Sequence, residues 1–125
     1  MTENEISYEI RGCIFSVYNK LGPGLLESAY EAALGFELNK KGLLFATQLG
    51  LPMKYETIQL DLGYRLDFLV EHKVIIEVKS VETLLKVHHK QVITYLKLSR
   101  LKLALLVNFN CEDIATSIFR KVNAF

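Results

Sequence analysis

Two cysteines, Cys13 and Cys111, are all the sulfur pairing that 125 residues offer. So low a count excludes a disulfide framework and a cysteine-rich metal cluster. No apolar run approaches the ~20 residues of a membrane span, so no membrane partner is expected. The opening "MTENEISYEI" is acidic, unlike a signal or transit peptide. With no export signal, reduced thiols in a cytoplasm are the expected state. Repeats, low-complexity stretches and linkers are missing too. The length fits one domain over residues 1–125. Half the residues are hydrophobic and 23% are charged, which excludes disorder. A domain of this size can bury roughly two thirds of the surface its unfolded chain exposes.

Acidic residues are absent from one long segment, residues 83–111. That segment carries Lys86, Lys90, Lys97, Arg100 and Lys102, with His88 and His89. The first 37 residues hold six glutamates and only two basic residues. The net charge of +1 hides this asymmetry. A basic segment of this kind suits an anion such as a nucleic-acid phosphate. It equally suits a solvated helix face with lysines towards its C-terminal end.

The apolar spacing of Ile6, Ile10, Cys13, Ile14, Val17, Tyr18 and Leu21 predicts a helix over residues 6–21. "GPG" at 22–24 ends it, and a second helix is expected over 25–41, closed by Gly42. Strands are expected over 44–55, with Gly50 and Pro52 arguing for a bend or an edge position, over 58–70, broken near Gly63, and over 73–79. "VEHK" joins the last two as a hairpin turn. A helix over 84–99 precedes strands over 101–109 and 114–122. The order is ααβββαββ, an α/β fold. The helix between the third and fourth strands is a crossover, so those strands should be parallel in a mixed sheet.

Charge sits oddly in "GYRLDFLVEHKVIIEVKS", where Asp67, Glu77 and Lys79 lie among Leu, Val, Ile and Phe. Alternation along a strand points Glu77 and Lys79 the same way. A suitable hairpin register would bring Asp67 beside Glu77. Two carboxylates that close must share a proton or a bridging cation. A hard divalent ion such as Mg²⁺ takes oxygen ligands of this kind. Lys79 would then stabilise charge on a phosphate or orient a water. The alternative is an Asp–Lys–Glu ion network, a poor stabiliser where the strand is central. Gln91 and Tyr95 share a helix face four residues apart and could point to the same side of the sheet. Glu27 and Tyr30 are three apart on the second helix, where Glu27 also complements the helix dipole.

"GLLESAY" reads G-x-x-E-x-x-Y, and the chain resembles the GxxExxY protein family, a branch of the PD-(D/E)xK nuclease-like superfamily. The resemblance runs from about Tyr8 to Arg120 through "GPGLLESAYEAAL", "YRLDFLV", "IIEVKSV", "QVITYLKLS" and "LALLVNF". It implies a restriction-endonuclease-like three-layer core with a mixed central sheet flanked by helices. It implies that Asp67 and Glu77 bind Mg²⁺ or Mn²⁺, with Glu27 as a further candidate ligand, and that Lys79 assists catalysis. Gly63 to Asp67, "EVK" and the Gln91–Tyr95 pair are similar to the motif set of RecB-type exonuclease domains. Leu66 stands where the superfamily's name places a proline. The implied activity is metal-dependent hydrolysis of phosphodiester bonds in nucleic acid, DNA first. A binding or interaction module that keeps the fold without cleavage is the alternative. A core this compact often needs a second subunit to hold both strands, so a homodimer is one expectation.

Overall fold

A computed structural model describes residues 1–123. Helix α1 (Glu3–Leu21) starts at a reciprocal cap. The Glu5 amide donates to the Thr2 hydroxyl, and the Thr2 amide donates to the Glu5 carboxylate. Ile6, Ile10, Cys13, Ile14 and Val17 form its buried stripe, as the spacing predicts. The helix ends at Gly22, whose φ of 67° is open to glycine at little cost. Helix α2 (Glu27–Lys40) follows and packs on α1.

The main sheet is built from β1 (Phe45–Gly50), β4 (Arg65–Val70), β5 (Val74–Lys79), β6 (Leu103–Asn108) and β7 (Ile118–Val122). They lie side by side in the order β1-β4-β5-β6-β7. β5 and β6 run parallel, joined by helix α3 (Lys86–Ser99), and the other pairs are antiparallel. The mixed sheet and the crossover match the expectation. β5 is buried from Val74 to Val78 and β6 throughout, so neither alternates. Both faces are covered, which is why these strands read as continuous apolar runs. On one face α1 and α2 meet Phe68, Val70, Ile76, Val78 and Leu105. On the other, Val92, Tyr95 and Leu96 of α3 meet Ile75, Ala104 and Leu106. The result is three layers, helices on both sides of one sheet.

Three strands differ most from the sequence reading. The strand expected over 44–55 stops at Gly50, and the one expected over 58–70 is cut at residues 61–64. The pieces left over, β2 (Met53–Tyr55) and β3 (Ile58–Leu60), pair only with each other in a separate ribbon. Pro52 lacks the donor a central ladder needs, which favours a break there. The strand expected over 114–122 begins as a short 3-10 turn (Ile114–Thr116), because the Asp113 carboxylate caps the Ala115 amide. The "VEHK" reversal is tight. Glu71 and His72 adopt φ of 52° and 58°, and the Lys73 amide donates to the Val70 carbonyl. Two central residues with positive φ are the signature of the hairpin turn that suits twisted strands. Among the described residues, no helix is long and apolar enough to cross a membrane.

Candidate active site

The tight turn sets the register of β4 against β5. Val70 faces Val74, Leu69 faces Ile75 and Phe68 faces Ile76. One step further the ladder gives way to side chains. The Asp67 amide donates to Glu77 Oε1 at 3.0 Å, and the Val78 amide donates to Asp67 Oδ2 at 2.9 Å. Each carboxylate takes a backbone donor of the opposite strand, so these two amides stay paired where the strands part. The register that would bring Asp67 beside Glu77 is the one the fold adopts.

The other neighbour of Asp67 is irregular as well. The β1–β4 pairing runs through Thr47–Phe68 and Leu49–Leu66 but omits Gln48, whose φ is 50°. This left-handed kink costs on the order of 1 kcal/mol for a residue with a side chain. It lets the Gln48 amide donate to Glu31 Oε1 at 2.7 Å and reach Asp67 Oδ1 at 3.5 Å. The Arg65 guanidinium holds the kink by donating to the Gln48 carbonyl at 3.2 Å. Gln48 thus ties the helix carboxylate of Glu31 to the strand carboxylate of Asp67.

Electrostatics follow from burial. Glu77 is only 3% exposed. Burial, and then the Asp67 charge, push its carboxyl up to about 8. Burial also raises Asp67, against the opposing pull of the Val78 amide and the Lys79 ammonium. Glu31 is raised by burial and then by the charge of Asp67, while its bond from Gln48 acts the other way. Tyr95, 4% exposed, is pushed up to about 12 by burial and then by the Glu77 and Asp67 charges. The mutual influence of these groups puts Asp67, Glu77, Glu31, Lys79 and Tyr95 in one electrostatic neighbourhood.

Rigid contacts fix the strand end that carries Lys79. Its carbonyl accepts from the Phe109 amide at 2.9 Å. The buried Asn108 amide bonds both the N–H and the carbonyl of Val81, at 3.0 and 2.9 Å. Ser80 donates to the Leu25 carbonyl, which brings the start of α2 to the end of β5. Gln91 borders a cavity of about 460 Å³ together with Lys79 and Tyr64.

Two residues singled out in the sequence part company here. Glu27, first in α2, is half-exposed; its charge acts on Glu31 and Asp67, but it makes no hydrogen bond to either. Tyr30 turns inward. Its ring stacks on Phe109 at 4.4 Å, and its hydroxyl donates to the Gly22 carbonyl and accepts from the Leu25 amide. The tyrosine of the G-x-x-E-x-x-Y stretch therefore holds the turn that opens α2. Glu31 and Gln48 were missed in the sequence. Glu31 carried a signal, since it lies four residues after Glu27 on the same helix face.

The donor set suits a hard cation in part. Asp67 and Glu77 are adjacent oxygen donors, and Glu77 keeps a proton that a divalent ion would replace. Among the described residues, no group of three or more His, Cys, Asp or Glu side chains is gathered closely enough to complete such a site.

Comparison with curated proteins found no match, and comparison with solved structures found none either. The family model described as the PD-(D/E)XK nuclease superfamily matches residues 4–121. That match reaches both helical layers and all five strands of the main sheet, and it includes every residue of the carboxylate–lysine site. This chain belongs to the PD-(D/E)XK nuclease superfamily.

Proposed function

We propose that the protein is a nuclease that hydrolyses phosphodiester bonds of nucleic acid, DNA first, using Mg²⁺ or Mn²⁺ held by Asp67 and Glu77. Nucleases of this superfamily generally use divalent metals. The observation that carries the reading is the meeting of Asp67 and Glu77 at a splayed strand end, with Lys79 two residues on from Glu77. When bound, the metal would supply Lewis-acid neutralisation of charge on the phosphodiester.

The remaining work falls to this chain's own groups. Lys79, beside the carboxylate pair, places an ammonium where charge grows on the phosphate or where a water must be oriented. The Asp67 amide and the Val78 amide hold the two carboxylates in fixed orientation. Gln91 and Tyr95 orient the site or touch the nucleic-acid backbone. Glu31, anchored by Gln48, stands with Glu27 as the acidic contribution of α2. The reading covers the chain as one functional domain, in a cytoplasm, of the GxxExxY branch, and allows a homodimer.

The test is cleavage of single-stranded DNA, double-stranded DNA and RNA in Mg²⁺, Mn²⁺ and EDTA. Metal-dependent cutting that disappears in Glu77→Ala and Lys79→Ala supports the reading. Cutting by both variants at the wild-type rate refutes it.

One observation favours a second reading. Asp67 and Glu77 meet, but among the described residues no three His, Cys, Asp or Glu side chains gather closely enough to hold a metal ion. A nucleic-acid-binding module without cleavage would need no more. Salt-sensitive binding with no turnover in any divalent metal would select it.

A further inference from the structure

The cavity of about 460 Å³ beside Lys79 has a lining unlike that of the carboxylate site. Its walls are Tyr64 from the loop before β4, Lys79 from the end of β5, and His88, Lys90, Gln91 and Thr94 from the first turns of α3. No acidic residue borders it, although the carboxylate pair lies just beyond Lys79. Its volume lies within the about 300–1,000 Å³ of small-ligand sites.

Three details define the ligand. The His88 Nδ1 accepts from the Leu85 amide at 2.9 Å, so its Nε2 carries the proton and is free to donate. With Lys90 and Lys79 that makes three donors suited to phosphate oxygens. The Tyr64 ring meets Tyr95 edge-on, 6.1 Å between centroids at 70°, and the Tyr64 carbonyl accepts from the Leu51 amide at 2.8 Å. An aromatic ring braced from ring and backbone is a platform for a base. Val87, 61% exposed on the same rim, adds apolar surface.

We propose that this cavity is a subsite for one unpaired nucleotide of a nucleic-acid strand, its phosphate on Lys90 and His88 and its base against Tyr64. The base must be unpaired, since a base inside a duplex offers its faces only to its neighbours in the stack. The subsite rests on the nuclease reading for its meaning, because it would set a single-stranded end or gap beside Lys79. Its binding is measurable without cleavage.

The experiment is fluorescence anisotropy of the full chain in Ca²⁺ across a salt series. The probes are a labelled oligo-dT strand and a labelled hairpin duplex, with dTMP as competitor. The strand is expected to bind more tightly than either the duplex or dTMP. Lys90→Ala should weaken strand binding and lower the salt slope by about 0.7, one phosphate contact on a single strand. Tyr64→Leu should weaken it by at least about fivefold, the lower end for loss of one stacked base, while Tyr64→Phe keeps the affinity. Lys97→Ala, on the same helix but outside the cavity, controls for diffuse attraction and should change binding by less than about twofold.

Equal losses in Lys90→Ala and Lys97→Ala overturn the subsite. So does duplex or dTMP binding as tight as the strand, or a Tyr64→Leu variant that melts like wild type and binds like it. Wild-type cleavage together with any of these outcomes removes the subsite and leaves the nuclease. Strand preference that depends on Lys90 and Tyr64, with no cleavage in any metal, does the reverse.

Discussion

Replacing Glu77 by Gln should stabilise the protein at alkaline pH, the reverse of the usual result for a buried charged residue that keeps a hydrogen bond. In the folded chain the Glu77 carboxyl is raised from 4.5 to about 8, by burial first and by Asp67 second. The native state therefore holds a proton that the unfolded chain releases. Over that window the native state binds more protons, so stability falls as pH rises. The contribution is fully present below about pH 4.5 and is lost as pH passes through about 8. One unit is about 1.4 kcal/mol, so the whole window has a ceiling of roughly 5 kcal/mol. Asp67 titrates with Glu77, and the pair shares the effect, so a loss of about 2–4 kcal/mol is expected. The substituted carboxamide stays neutral, keeps an oxygen for the Asp67 amide at the same place and removes the repulsion of Asp67. Urea unfolding in EDTA at pH 5, 6.5 and 8, followed by circular dichroism, measures the difference curve between wild type and variant. That difference cancels groups remote from the site. At pH 5 the two should be within about 1 kcal/mol, and at pH 8 Glu77→Gln should be the more stable by about 2–4 kcal/mol. A wild type whose stability is flat from pH 5 to 8, or a Glu77→Gln that is weaker than wild type at every pH, refutes the reasoning.

Further outcomes can be measured on the same material. Mn²⁺ should raise the Tm of wild type more at pH 8 than at pH 5.5, because metal and proton compete for one carboxylate pair; scanning calorimetry reads this, and an equal shift at both pH values counts against the pair as ligands. Glu31→Gln should weaken Mn²⁺ binding by about tenfold, as for groups that orient a ligand, while Glu27→Gln has the smaller effect in the same titration. The opposite ranking would return Glu27 to the nearer place. Tyr30→Phe should cost about 1–2 kcal/mol in urea unfolding, since it strips the Gly22 carbonyl and the Leu25 amide of one shared hydroxyl. No measurable loss would show that water replaces it.

The central strands declared themselves because both of their faces are covered. "VIIEVK" and "LALLVN" could not be amphipathic, and their apolar runs marked β5 and β6 directly. The meeting of Asp67 with Glu77 was legible for a related reason. The turn after Val70 is so short that it leaves little freedom of register, and alternation then decides which side chains face each other. What was not legible depends on contacts distant in sequence. Gln48 gains its role from a kink in β1 that brings it to Glu31 and Asp67. Nothing local in "FATQLG" announces a left-handed residue. Glu27 and Tyr30 have helical spacing, but spacing does not say which side chain turns into the core. The aromatic stack on Phe109 decides that, and it pairs α2 with the end of β6, distant in sequence. Gly50 and Pro52 signalled an irregularity but not a full break, and the separate pairing of β2 with β3 was not visible, since a three-residue strand carries too few alternations to show a partner.

The most direct test of the account is crystallographic. Crystals soaked in Mn²⁺ and measured at the manganese absorption edge should give one anomalous peak between the Asp67 and Glu77 carboxylates, on the side from which Lys79 approaches. The same soak of Glu77→Gln crystals should leave that position dark. A peak that persists in Glu77→Gln, or a strong peak elsewhere with none at the pair, would contradict a metal-dependent nuclease built on Asp67, Glu77 and Lys79.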